Sequence, residues 1–379
     1  MARSLRWKQW VLKRVAGCLP IHEVNTLVRI GMIGVGYWGP NLIRNFSELD
    51  DAEVVACADL SAERLNKVRK RHPSVFCTQN ADDLLRDPRV DAVVIATPVS
   101  THYPIAKEAL ERGKHVMIEK PIADSSEHSL DLLERATKAH RVLMVDHTFI
   151  YTSAVRKIRE LIDGGDIGEI NYFDSVRINL GLFQKDINVT WDLAPHDLSI
   201  MDYLLRKDPV SVMATGACHA GNQIANIAYL TLTFPNNLIA HFHVNWLAPV
   251  KIRLTLIGGS KKMVVYDDVE PTEKVRVYDK GVTVNGSAEK RYQALINYRV
   301  GDVLIPKLDA TEALLRVAQE FVGAIHEERQ ALTDGIAGYR VVRVLEAAQK
   351  SLDDGGKPVE LKGDWLSGYD RQQPAAQVL

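Results

Sequence analysis

The sequence predicts an α/β protein: an N-terminal doubly wound parallel sheet, then a C-terminal α+β domain with a large, mostly antiparallel sheet. Three observations predict it. Five short apolar runs alternate with segments of helical period between Val28 and His147. Beyond His147, apolar runs alternate at period two and follow one another in hairpin order. The chain has 379 residues, more than one hydrophobic core usually serves.

The first five runs are VRIGMIGVG, EVVACAD, DAVVIATP, KHVMIEKP and RVLMVDH. Helical period fills Pro40 to Leu49, Ala62 to Arg71, Ala81 to Arg86, Tyr103 to Arg112 and Ser125 to Ala139. Right-handed crossovers then bring every strand's C-terminal end to one edge of the sheet. In the second half, Ala154 to Asp163 reads as a helix stopped by GGDIG, and INYFDSVRI as a strand. TWDLAPHDLSIMDYLL reads as a loop entering a helix. The strands ANIAYLTLTF, LIAHFHVNWL, VKIRLTLIG, MVVYD and KVRVYD follow, and Glu312 to His326 and Ile336 to Leu352 close the domain as helices. The expected divisions are an extension over 1–27, a first domain over 28–147, a second over 148–360 and a tail over 361–379.

Composition narrows the class. Hydrophobic residues make up 46% and charged residues 25%, with a net charge of -1, so nothing calls for nucleic acid or an anionic membrane as partner. Cys18, Cys57, Cys77 and Cys218 are scattered, which suggests neither a disulfide framework nor a zinc cluster and suits a reducing cytoplasm. No apolar run reaches the roughly 18 residues that span a membrane. Residues 1–27 mix Trp7, Trp10 and Val11 with Arg3, Arg6 and Lys8. They read as an extension outside the fold, the alternative being a basic amphipathic helix at a membrane surface.

GVGYWG at 34–39 fits G-x-G-x-x-G directly after an apolar strand and before a helix, the context of a Rossmann dinucleotide site. Gly34 makes the tight turn, Gly36 lets the pyrophosphate approach and Gly39 lets helix and strand pack. Tyr37 and Trp38 complete the loop. Asp59 ends the second strand twenty residues past Gly39, where a carboxylate binds ribose hydroxyls and repels a 2′-phosphate. Leu60 and Ser61 follow rather than an arginine, so NAD is favoured over NADP.

Two further spots suggest chemistry. Lys120 ends the fourth strand, the edge where ligands of open α/β sheets bind, and Pro121 fixes the backbone after it. Taken alone, Lys120 reads equally well as a surface lysine. Asp192 and His196 lie one helical turn apart if 192–200 is helical, and a carboxylate there orients an imidazole and raises its pKa. Pro195 suggests that the helix begins nearby, with Asp192 close to its N-cap. A capping aspartate beside a satisfied histidine is the alternative.

VRIGMIGVGYWGPN, ACADLS, ATPVSTHYPIAKEALERGKHVMIEKPIA and WDLAPHDLSIMDYL together resemble the Gfo/Idh/MocA family over roughly Val28 to Leu352. Among its members, the nucleotide-sugar dehydrogenases look most similar. The resemblance implies a Rossmann domain followed by a domain whose broad sheet makes a homodimer or homotetramer contact through its open face. It implies that Lys120, Asp192 and His196 are catalytic, that Thr97, Pro98 and His102 form the loop over the cofactor, and that Glu119 lies beside the nicotinamide. One departure is that Asn188-Val-Thr-Trp and Leu-Ala-Pro stand where many members carry glycines.

The expected reaction is hydride transfer between nicotinamide and a ring hydroxyl carbon of a sugar, in particular a UDP-linked sugar of surface-polysaccharide metabolism. An inositol or free-sugar dehydrogenase, an enzyme that reduces and reoxidises its bound NAD in each turnover, and a non-catalytic NAD- or sugar-binding regulator are the alternatives. Arg177 and Lys185 could meet a diphosphate but read first as solvated charges, and Phe149 and Tyr151 read as stacking or core aromatics. His241 and His243 share a strand face with Asn245, and an H-x-H pair without a third ligand reads as a surface feature rather than a metal site.

Overall fold

A computed structural model describes residues 27–181, 187–219, 221, 224–279, 281–284 and 296–363. Residues 1–26 with Cys18, Lys185, and the tail from Asp364 lie outside the described residues. The first sheet has six strands, β1 (Val28–Ile33), β2 (Ala52–Ala58), β3 (Phe76–Thr78), β4 (Ala92–Ile95), β5 (His115–Glu119) and β6 (Leu143–Asp146). They run parallel in the order β3-β2-β1-β4-β5-β6. The edge strand β3 was not foreseen; three residues are too short to show a period.

Helices α1 (Gly39–Ser47), α2 (Ala62–Arg71), α3 (Ala81–Arg86), α4 (His102–Glu111) and α5 (Ser126–Ala139) cover the sheet. Ser61, Asn80 and Ser125 cap α2, α3 and α5 by accepting a backbone N–H of the first turn. Residues of β4 are fully enclosed, as expected of a central parallel strand.

After α6 (Ser153–Asp163) comes β7 (Ile170–Leu180), then α7 (Val189–Leu205), β8 (Ser211–Ala217), β9 (Ile227–Thr233), β10 (Ile239–Asn245), β11 (Leu247–Gly259), β12 (Met263–Asp267) and β13 (Val275–Tyr278). With β16 (Val303–Leu304) and β17 (Val359–Glu360) they form a nine-stranded sheet, while β14 (Gly281–Val284) and β15 (Ile296–Arg299) pair separately. Its centre is not the simple hairpin series expected: β7 pairs antiparallel with β11 but parallel with β10. Parallel pairing needs a crossover, and α7 with β8 and β9 supplies it. On β10, Ala240, Phe242 and Val244 face inward, and His241, His243 and Asn245 the outer face.

Helix α7 lies under the inner face. Its cap is Asn188, whose side chain accepts the N–H groups of Thr190 and Trp191. The helix therefore starts before the point that Pro195 suggested, and Pro195 sits inside it. Proline there cannot donate to the carbonyl of Trp191. The closing helices α8 (Ala313–His326) and α9 (Gly335–Asp353) return to the first sheet. Leu314, Val317 and Phe321 of α8 join the core beside α1, and α9 packs on both α5 and α7. Among the described residues, no helix is long and apolar enough to cross a membrane.

Candidate active site

At the C-terminal edge of β1, Gly34 has φ +92, and a Cβ there would stand 2.4 Å from the carbonyl oxygen of Ala96. A Cβ on Gly39 would stand 2.8 Å from the carbonyl of Gly34. Both positions therefore exclude a side chain, as the turn and the close helix packing require. Helix α1 opens without a side-chain cap, Pro40 has no N–H and Asn41 donates to the carbonyl of Trp38 at 3.0 Å, which leaves the N–H of Gly39 at the helix start for an anion. Tyr37 and Trp38 stand out from this turn, 82% and 45% exposed, with rings edge to face at 5.2 Å.

Asp59 accepts the N–H of Val35 at 2.8 Å through Oδ2 and that of Ser61 at 2.8 Å through Oδ1. Arg64, one turn into α2, brings Nη1 to 3.6 Å from Oδ2. A cation does therefore stand near Asp59, although it does not follow directly in sequence. A cavity of about 350 Å³ runs from Gly34, Asp59 and Arg64 to Thr97, Pro98 and Thr101. His102 is buried, with Nδ1 2.8 Å from the carbonyl of Pro121 and Nε2 2.8 Å from that of Thr97. Both ring nitrogens face backbone carbonyls, and the single N–H of a neutral ring donates to one of them, so His102 sits between the loops after β4 and β5. The Lys120–Pro121 bond is cis.

The chemistry expected of Lys120, Asp192 and His196 is partly assembled. Lys120 Nζ donates to the backbone carbonyl of Asp192 at 2.7 Å and lies 3.4 Å from its Oδ1. Asp192 Oδ2 accepts the indole N–H of Trp246 at 3.0 Å. The carboxylate is thus held by the residue after β5 and by the residue after β10, not by the imidazole one turn along. His196 meets Phe149 edge to face at 5.0 Å, and its Nδ1 is enclosed without a partner. Its pKa is pushed well below the usual value by burial, then by Lys120, Arg177 and Arg253. Contrary to the expectation that Asp192 raises the pKa of His196, the charges that act most on the ring are cations and lower it.

Two family models match this chain. The one described as an oxidoreductase family with an NAD-binding Rossmann fold covers 28–147, and the Gfo/Idh/MocA C-terminal domain covers 155–264. The chain belongs to the Gfo/Idh/MocA family. It is an NAD-dependent oxidoreductase, with NAD bound by the first domain.

Among curated relatives of this Gfo/Idh/MocA chain, the UDP-N-acetylglucosamine 3-dehydrogenase of Acidithiobacillus ferrooxidans is 29% identical over 324 residues, 83% of this chain and 94% of the relative. An uncharacterized Bacillus subtilis oxidoreductase, YrbE, is 26% identical over 88% of this chain and 96% of its own length. A solved structure of the A. ferrooxidans enzyme matches with TM-score 0.72 at 27% identity, over 86% of this chain and 98% of that one. Levoglucosan dehydrogenase with NADH and levoglucosan matches in fold, with TM-score 0.75 at 20% identity over 89% and 100% of the two chains.

Several residues of this Gfo/Idh/MocA site escaped the sequence reading. Arg177 is buried and forms two hydrogen bonds with Asp197, at 2.8 and 2.7 Å, so it is not a solvated charge. Its Cζ lies 4.4 Å from the ring centre of Phe149. The alternation of Phe173, Ser175 and Arg177 on the enclosed face of β7 was the signal that could have shown this. Arg253 stands opposite Arg177 in register and pairs with Asp268 at 3.0 Å. His147 is buried with both ring nitrogens unpaired, and burial then Lys120 push its pKa down to about 3. Tyr151 belongs to the core, its hydroxyl 2.9 Å from Thr333 Oγ1. On the outer face, His243 stacks on Tyr229 at 4.4 Å. Among the described residues, no three His, Cys, Asp or Glu gather to hold a metal.

Proposed function

We propose that this enzyme transfers hydride between NAD and a ring hydroxyl carbon of a sugar, and that the sugar is nucleotide-linked. The observation that carries the reading is the anchoring of Lys120 Nζ on Asp192, across the edge of the NAD-binding sheet and one turn from His196. The glycine turn, Asp59 and the uncapped start of α1 suit the dinucleotide, and when bound its nicotinamide supplies the hydride acceptor. Lys120 holds the substrate oxygen and stabilises the negative charge that grows on it. His196, kept neutral by its surroundings, accepts the hydroxyl proton through a ring nitrogen. Asp192 fixes the lysine rather than the imidazole.

The similarity to the UDP-N-acetylglucosamine 3-dehydrogenase supports a UDP-sugar over an inositol or a free sugar. Arg177 lends that choice no support, since Asp197 already occupies it. Action in cytoplasmic surface-polysaccharide metabolism belongs to the same reading. So does a homodimer or homotetramer built on the outer sheet face, where Met213, Tyr229 and Ile239 stand exposed. The test is NADH fluorescence against a panel of UDP-sugars, inositols and free sugars, with the product identified by mass. A UDP-keto-sugar is expected. NADH formed only from inositols or free sugars would overturn the substrate, and bound NAD without reduction by any of them would overturn the dehydrogenase.

A further inference from the structure

Strands β5 and β6 end side by side, and their register sets Glu119 opposite Asp146. Asp146 is buried; its Oδ1 accepts the Thr148 hydroxyl at 2.7 Å, and its Oδ2 is enclosed with no donor. The carboxyl of Glu119 is the group that meets it. Two carboxylates set together, Asp146 enclosed and Glu119 half-buried, do not both stay ionised, and one shared proton gives Oδ2 its missing partner. Burial is the largest influence raising both groups, and the Lys120 ammonium opposes it. The other polar groups facing the pair are the Thr148 hydroxyl, the backbone N–H of Lys120 and the Tyr151 phenol, which stays protonated. Lys120 also has Asp192 3.4 Å away, so Lys120, Asp192 and the pair together keep one net negative charge beside the cleft.

Strand order locates that charge relative to the cofactor. The dinucleotide crosses the sheet where the order reverses, between β1 and β4, with Asp59 of β2 marking the adenosine end. The redox-active ring therefore lies toward β4 and β5. We propose that the paired carboxyls of Glu119 and Asp146 bias the bound nicotinamide toward its oxidised, cationic form. The proposal rests on the cofactor lying in that direction across the sheet.

Because one charge is shared between two groups, either residue alone can carry it. Dissociation constants for NAD+ and NADH are to be measured at pH 7 by calorimetry and fluorescence titration, for wild type, Glu119→Gln, Asp146→Asn and the double variant. Each single variant is expected to keep the ratio of the two constants within about threefold. The double variant is expected to weaken NAD+ relative to NADH by roughly tenfold. An unchanged ratio in the double variant, or the full loss in one single variant, overturns the proposal. Should the double variant not fold, infrared spectra of the wild type decide: a protonated carboxyl band at pH 7 that either single variant removes supports the pair, and its absence refutes it. Wild-type protein that binds neither cofactor would instead sink the dinucleotide site itself.

Discussion

Helix α7 carries three carboxylates that face cations; Asp202 pairs with Arg340, and the other two pairs differ in kind. Asp197 and Arg177 are each 4% exposed in their side chains and meet through two parallel hydrogen bonds. Asp192 and Lys120 are 23% and 13% exposed, and their charged atoms stand 3.4 Å apart. The first pair is saturated: the fork of the guanidinium fills both carboxylate oxygens. The second leaves the ammonium room for another acceptor, because a lysine has three donors and the Asp192 carbonyl takes one. One pair orders the floor of the site, and the other is open to a ligand.

The comparison breaks most sharply at Asp197. Asp197→Ala leaves Arg177 buried without its counter-ion, and urea unfolding is expected to show a loss of about 3–5 kcal/mol. Asp192→Asn keeps the Trp246 contact available and is expected to lose less than about 1 kcal/mol. Equal losses in the two variants would mean that the difference in burial has no energetic weight.

Lys120→Ala comes next. It is expected to lower kcat by about 10²–10³ fold, the scale of one lost donor to a developing oxyanion. NAD affinity should stay within about threefold, because the glycine turn and Asp59 are untouched. Steady-state kinetics with a fluorescence titration of NADH check both halves. A kcat within a factor of ten of wild type would remove Lys120 from the chemistry.

The sequence showed the first domain far better than the reacting centre, and the reason is range. Gly39 answers to Gly34, and Asp59 to Val35 and Ser61, all within about one strand and helix, so local spacing describes them. Asp192 and His196 were legible as a pair at helical spacing, but the partners of Asp192 come from residues 72 and 54 positions away. Local spacing therefore paired the carboxylate with the wrong group. Pro195 misplaced the helix start for a related reason: Asn188 caps the helix seven residues earlier, and Pro195 is carried inside it. Asp146 looked like a strand end, and only the register of β5 against β6 gives it a partner.

Enclosed imidazoles sharpen the contrast through pH. The folded pKa of His147 is depressed to about 3 from 6.5, so the unfolded chain binds the proton first as pH falls. Its stabilisation is whole above pH 6.5 and is lost progressively between 6.5 and 3. Between pH 7 and 5 that amounts to about 2 kcal/mol. His196 shifts in the same direction. Urea unfolding at both pH values should show this fall, and His147→Gln should flatten its share. An identical slope in the variant would mean that the ring is not enclosed as described.

The smallest effect is expected at another pair, Arg64 with Asp59. Arg64 is 55% exposed, its nearest nitrogen stands 3.6 Å from the carboxylate, and Asp59 already holds two backbone N–H groups. Water screens such a pair to no more than about 1 kcal/mol. Arg64→Ala should therefore change NAD affinity by less than about fivefold, while Asp59→Ala, which frees both N–H groups and removes the ribose acceptor, should change it by more. If Arg64→Ala instead costs the larger share, the arginine over Gly36 touches the dinucleotide directly. Exposure would then be a poor guide to which pairs in this protein are open for binding.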